Sequence, residues 1–403
     1  MADPLATLAA LVRRPSVNPM GRDVSGPEYL EGRVTDYLVQ RFAANGLPCA
    51  RQPVAPGRDN VVARLESSVP GAPVILWDAH QDTVPVDGMT IDPFLPLVRD
   101  GRLQGRGACD VKGGMAAMLV ALDRLRASDL PRPVTVVFAA TVNEEFGFSG
   151  ARALAALWSG AGGDGPGDRA TRALLGGVPA AAIVAEPTGL DVVAMHKGAV
   201  RWRIRVGGRA CHSSFPERGD NAIYHAARVA LAIEELAAEL LLRDPEHPCG
   251  PPTLCLGTIR GGTGVNLVPD AAVLEIDRRL VPGESPRAAR DEVMRRIAET
   301  CPGADVRHDE PFVEHAGLPE TGIAAEISGR RPAERLGEAV RRLGRPSTVR
   351  AARYGTNASV YAAAAVPTVV FGPGSIEQAH TADEWIELDQ VDVAATALAA
   401  VVT

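Results

Sequence analysis

The chain has 403 residues, 42 of them basic and 49 acidic, for a net charge of −7 at pH 7. That balance offers no basic surface to hold nucleic acid or anionic lipid by counterion release. Hydrophobic residues make up 46% and charged residues 23%, an ordinary globular composition that excludes wholesale disorder, and the length suits two or three domains.

In chain order, the opening MADPLATLAALVRRP reads as a short helix stopped by two arginines and a proline. An acid stands where a signal peptide wants a base, and no apolar run approaches the roughly 18 residues of a spanning helix. The expectation is a cytoplasmic protein that does not use the membrane. Apolar runs at Pro73–Ala79, Val134–Val142, Ala181–Ala185 and Pro367–Phe371 predict buried strands. Helical periodicity covers Val111–Arg126, Asn221–Leu242, Pro286–Thr300 and Leu388–Val401. Strands alternating with helices predict an α/β fold with a mostly parallel sheet flanked by helices. The glycine-rich Ser159–Gly177 predicts an exposed, mobile insertion. From about Met195 the pattern changes to polar–apolar alternation (RWRIRV, Arg201–Val206), a long helix, two strands, a helix and a short strand. That β-α-β-β-α-β order is ferredoxin-like α+β. It predicts an inserted domain over 196–310, with 1–195 and 311–403 forming the larger domain.

The six cysteines (Cys49, Cys109, Cys211, Cys249, Cys255, Cys301) are far apart and predict free thiols. Only two lysines occur, Lys112 and Lys197, each a position where a compact ammonium replaces the prevailing arginine.

Acids and histidines gather after the predicted strands: His80 and Asp82 (DAHQD), Glu144 and Glu145 (NEEFG), Glu186 (EPT) and His380 (EQAHTADEW), with Asp110 (GRGACDVKGG) opening a helix. In a parallel sheet such positions face one crevice beyond the carboxyl ends of the strands. Carboxylates crowded there would raise each other's pKa, and divalent cations remove that conflict. Imidazole with carboxylate suits zinc and tolerates cobalt or manganese.

The motifs LWDAHQDTVP, GRLQGRGACDVKGGMAA, NEEFGFSGAR, AEPTGL, CHSSFPERGDNA, GGTGVNLVPD, DRRLVPG and FGPGSIEQAHTADEW together resemble the acetylornithine deacetylase / succinyl-diaminopimelate desuccinylase family of dinuclear zinc amidohydrolases, which includes aminoacylases, carboxypeptidases and dipeptidases. The resemblance spans nearly the whole chain. It implies two zinc ions per subunit, with cobalt or manganese as substitutes, bound by His80, Asp110 as the bridging carboxylate, Glu186, Glu145 and His380. It implies Glu144 as the base that takes a proton from the attacking water and passes it to the leaving amine. Asp82 would hydrogen-bond the far nitrogen of His80. His212 resembles a histidine that crosses from a partner subunit of a homodimer to stabilise the oxyanion, and the insert would serve as the dimerisation and lid domain. Asn266 and Arg279 resemble groups that hold the substrate's carboxylate, and the Gly372–Ser375 loop, Gly374 included, would line the pocket. The peptide bond after Asp110 is expected to be cis.

The implied substrate is a small N-acyl-amino acid, acetylornithine foremost. Succinyl-diaminopimelate desuccinylase, a dipeptidase or carboxypeptidase, and a metal-bearing binding protein without turnover remain as alternatives. Asn357 (RYGTNAS) stands where an acid is expected, which weakens the case for a cationic side chain on the substrate.

Overall fold

The computed structural model describes residues 3–403. Two compact units divide them. The larger takes the described residues of Met1–Ala194 with Pro319–Arg350 and Thr356–Thr403, and the smaller takes Met195–Leu318 with Ala351–Gly355.

The chain opens with α1 (Pro4–Val12), capped by the Asp3 carboxylate accepting the Leu5 N–H at 2.9 Å, and α2 (Gly32–Ala44). Then come β1 (Cys49–Ala55), β2 (Arg58–Leu65), β3 (Val74–His80), α3 (Gly113–Arg126), β4 (Thr135–Thr141), α4 (Ser149–Ser159), α5 (Pro166–Leu175), β5 (Ala181–Val184) and β6 (Val192–His196). The smaller unit contributes β7 (Gly198–Gly207), α6 (Ala222–Leu241), β8 (Thr253–Gly261), β9 (Ala271–Leu280), α7 (Pro286–Thr300), β10 (Val306–His308) and β11 (Val313–His315). The chain closes with α8 (Pro332–Arg342), β12 (Val349–Ala352), β13 (Thr368–Phe371) and α9 (Leu388–Val402).

Among the described residues, the main sheet has eight strands in the order β1-β2-β4-β3-β5-β13-β6-β12. The central pairs β4–β3, β3–β5 and β5–β13 are parallel, and the pairs β1–β2, β2–β4 and β13–β6 are antiparallel. Every residue of β4, β5 and β13 is buried, which explains why these strands read as unbroken apolar runs. Helix α3 lies so close that a Cβ on Gly114 would come within 2.8 Å of the Ala185 methyl. Met115 through Leu122 are then all buried in the aliphatic core. Truncating one of them, such as Leu119, would cost about 2–5 kcal/mol.

Two expectations need correction here. Ser159–Gly177 is not a mobile loop, because Pro166 at the first turn starts α5 and Thr171 and Leu175 bury one face of it. A Cβ on Gly167 would lie 2.5 Å from the Arg51 carbonyl oxygen, so the glycine there serves close packing on β1. The inserted unit also continues past residue 310, because β11 pairs with β7 (Val313 opposite Arg201).

The smaller unit is an antiparallel sheet ordered β8-β9-β7-β10, with β11 on the remaining length of β7. Burial alternates along β7 and β9, and Trp202, Ile204, Leu274 and Ile276 pack against Ala226, Val229, Ile233 and Val293 of α6 and α7. That one-sided sheet is what the alternating sequence encodes. All six cysteines are free thiols. Among the described residues, no helix is long and apolar enough to cross a membrane.

Candidate metal centre

The parallel strands deliver their ends to one place. His80 is the last residue of β3, Glu144 and Glu145 follow β4, Glu186 follows β5, and His380 lies in the loop after β13. Among the described residues, two groups of ligand atoms lie within 4.8 Å of one another: His80, Asp110 and Glu186, and then Asp110, Glu145 and His380. Asp110 belongs to both. Its Oδ1 is 3.1 Å from Nε2 of His80 and its Oδ2 is 3.3 Å from Nε2 of His380, so the two oxygens of one carboxylate face the two imidazoles. Glu145 Oε2 is 3.4 Å from the same His380 nitrogen.

Local backbone conformation sets these directions. The Asp110–Val111 peptide bond is cis. His380 sits at φ 63°, in the left-handed region that few non-glycine residues occupy outside special sites. The buried carboxylate of Glu384 accepts the N–H groups of Gly107 (2.9 Å), Cys109 (2.8 Å) and Asp110 (3.0 Å) and pairs with Arg106 at 2.8 Å. It thereby ties down the turn that carries Asp110. Sequence reasoning passed over Glu384. The signal was its place four residues after His380, within the same motif.

Asp82 acts differently from the expectation. The far nitrogen of His80, Nδ1, meets the backbone carbonyl of Asp82 at 2.9 Å, while the nearest carboxylate oxygen is 3.7 Å away. The Asp82 carboxylate instead accepts the backbone N–H of Glu144 (3.0 Å) and of Glu145 (3.1 Å), and the Asn18 amide at 2.7 Å. One buried aspartate thus orients the histidine through its main chain and the glutamate pair through its side chain. Asn18 is a second residue that sequence reasoning missed.

Charge crowding is severe. Burial, and then the neighbouring carboxylates against the relief of His80, raise Glu144 well above the usual carboxylate range; Glu186 rises for the same reasons. Burial opposes a charged His80, yet its bond to Asp110 and the charges of Glu144 and Glu186 outweigh that and hold the ring well above the ordinary imidazole value. The bonds from Asp110 and Glu145 push His380 up to about 11. Among the described residues, Glu145 Oε1 and Glu186 Oε1 are buried without a hydrogen-bond partner. Four carboxylates, two of them with stranded oxygens, beside two imidazoles fit a pair of divalent cations, which would satisfy those oxygens and neutralise the charge.

The remaining expected site residues belong to neither ligand group. His212 and Asn266 are exposed neighbours in the smaller unit, where His212 pairs with Leu267 and Ser213 N–H donates to the Asn266 carbonyl at 3.0 Å. Arg279, on β9, gives its guanidinium to Asp277 at 3.0 Å. Gly374 is not a free pocket wall. Its N–H donates to Gln390 at 2.9 Å, its carbonyl accepts from Gly189, and a Cβ there would meet the Cys109 sulfur at 2.6 Å. Asn357 also belongs to neither ligand group. It is buried, and its amide donates to Asp78 Oδ2 and Thr141 Oγ1, both at 3.0 Å. Both lysines are buried and donate to backbone carbonyls, Lys112 to Arg14 at 2.8 Å and Lys197 to Pro251.

Residues 76–403 match peptidase family M20/M25/M40. An acetylornithine deacetylase of Myxococcus xanthus is 32% identical over 378 residues, 88% of this chain and 87% of that protein. One from Proteus mirabilis is 33% identical over 346 residues, 83% of this chain and 80% of that protein. The solved M20 family metallo-carboxypeptidase of Sulfolobus solfataricus shares the fold at a TM-score of 0.75 and 17% identity, covering 99% of this chain and 98% of that one.

Proposed function

The chain belongs to peptidase family M20/M25/M40 and is a metal-dependent amide hydrolase, and from that premise we propose that it removes the acyl group from a small N-acyl-amino acid, with acetylornithine the first candidate. One observation carries the reading: a single carboxylate, Asp110, stands between two ligand groups beside the buried Glu144. We assign His80, Asp110 and Glu186 to one cation and Asp110, Glu145 and His380 to the other, zinc by preference, with cobalt or manganese as substitutes. When bound, such a pair polarises an amide carbonyl and lowers the pKa of water towards neutrality.

The chain's own residues supply the rest. Glu144, whose carboxylate holds a proton readily because of its burial, takes a proton from the attacking water and returns it to the amine nitrogen as the amide C–N bond breaks. Asp82 fixes the main chain of Glu144 and Glu145, so that one glutamate serves as base and the other as ligand. Asn266 and Arg279 receive the substrate's carboxylate, for which a forked guanidinium is suited. His212 of the partner subunit donates to the developing oxyanion in a homodimer. The six free thiols suit a reducing, cytoplasmic setting.

A metal-loaded protein tested side by side on N-acetylornithine, succinyl-diaminopimelate, N-acetyl neutral amino acids and dipeptides decides the matter. Preference for an acetylated amino acid supports the proposal. Preference for dipeptides would move the protein to the peptidase branch of the same chemistry, and no hydrolysis of any of them would reject the reading.

A further inference from the structure

Beneath the Glu144–Glu145 pair lies a polar network to which the reaction assigns no role. Glu31 is fully buried, and its carboxylate receives Arg58 through Nε at 3.0 Å and Nη2 at 2.6 Å. The third guanidinium nitrogen, Nη1, donates to Asn143 Oδ1 at 2.6 Å, while Glu31 Oε1 accepts the Asn143 backbone N–H at 3.2 Å. Asn143 is therefore gripped by both members of one ion pair, main chain by the acid and side chain by the base. It sits at φ 60°, in left-handed backbone, immediately before Glu144.

Asn18 closes the circuit. Its Oδ1 accepts the Met20 backbone N–H at 2.9 Å, which fixes which way the amide points. Its Nδ2 must then face the acceptors, and it donates to Asp82 Oδ2 at 2.7 Å and to Asn143 Oδ1 at 3.0 Å. Asp82 in turn holds the N–H groups of Glu144 and Glu145.

We propose that Glu31, Arg58 and Asn18 are positioning residues that form a clamp on Asn143 and Asp82 and thereby set the aim of the Glu144–Glu145 pair. This rests on the roles assigned above to Glu144 and Glu145. All three lie ahead of residue 76, where the family match begins, so the clamp is a contribution of the amino-terminal segment to a site whose ligands come from elsewhere. A buried ion pair is in general no more stabilising than well-packed apolar side chains. What this pair provides and apolar side chains cannot is two directed hydrogen bonds onto one residue of the glutamate turn, one to its side chain and one to its main chain.

The clamp acts on one ligand group more than the other. Glu145 belongs to the group with His380, whereas His80 is steadied by the Asp82 main-chain carbonyl, which the clamp does not touch. The test is a cobalt titration followed by calorimetry on the full chain, together with kcat and KM on the best substrate of the panel. Asn18→Ala leaves the ion pair intact, and the paired variant Glu31→Met with Arg58→Met avoids stranding a buried charge. In both, one of the two metal equivalents should weaken tenfold or more while the other stays within twofold, by the usual 10–100-fold effect of residues that orient metal ligands. kcat should fall tenfold or more with KM within threefold. The proposal is overturned if both equivalents and kcat stay within twofold, or if both equivalents weaken alike, as general loosening of the fold would cause. Should the paired variant fail to fold, Asn18→Ala alone decides. Should the unaltered protein hydrolyse nothing in the panel, the proposed function fails while the titration still judges the clamp.

Discussion

The carboxylate of Glu384 accepts the backbone N–H of Asp110 at 3.0 Å, although 274 positions separate the two residues. The acid common to both ligand groups is thus set in place by a second acid that is a member of neither. Glu384→Gln replaces an acceptor for three N–H groups and Arg106 with a side chain whose amide half is a donor. Both metal equivalents should bind about 10–100-fold more weakly. Breaking the buried pair with Arg106 should also cost about 3–5 kcal/mol. Metal titration and urea unfolding read the two effects separately.

Glu144→Gln should retain both metals and lose turnover. Glu144 is in neither ligand group, so metal content by mass spectrometry is expected to be unchanged. Removing a general acid–base group lowers kcat by about 10²–10⁴. Activity within tenfold of the unaltered protein would remove Glu144 from the mechanism.

The smaller unit carries a pH-dependent weakness of its own. Burial lowers His196 and His308 to about 4, against 6.5 when unfolded. Each is neutral in the folded chain, and His308 Nδ1 accepts the indole N–H of buried Trp202 at 3.0 Å, which protonation would break. Between pH 6.5 and about 4 the unfolded state binds more protons, so stability is intact above pH 6.5 and is lost as pH falls through that window. His308→Gln should flatten the slope of unfolding free energy over pH 5–7, as read by denaturant titration. An unchanged slope would refute the assignment.

If the proposed homodimer places His212 at the partner's oxyanion, His212→Ala should keep both metals and the dimer while losing about 10²–10³ in rate, the usual effect of one oxyanion donor. Mixed with inactive Glu144→Ala, it should recover roughly a quarter to a half of the activity, because some mixed dimers assemble one intact site. A mixture that stays inactive after proven subunit exchange, or a fully active monomer, would contradict the shared site.

What could be read from the sequence follows from where the information is stored. The runs VILWDAH and TVVFAAT are legible as β3 and β4 because burial on both faces leaves no polar interruption. His80, Glu145, Glu186 and His380 stand out because polar groups at the ends of such runs have few structural excuses. α5 was hidden because its flanking glycines dominate the local composition, while the burial of Thr171 and Leu175 depends on β1, far away in sequence. A motif position also says nothing about which way a side chain turns, and Asn357 turns inward to Asp78. Asn18, Glu31, Arg58 and Glu384 are ordinary polar residues in one dimension. Only the folded chain shows that Asn18, Glu31 and Glu384 are buried and Arg58 half-buried, each against a backbone N–H or a partner of opposite polarity.

The two lysines, one in each unit, are 1% and 3% exposed. No lysine amine is therefore open to acylating reagents while the chain is folded. Mass-tagging of Lys112 reports transient opening of the larger unit, and tagging of Lys197 reports opening of the smaller one. Two residues that escaped the chain's preference for arginine thus act as a built-in pair of clocks. Their separate labelling rates time how often each half of the molecule comes undone.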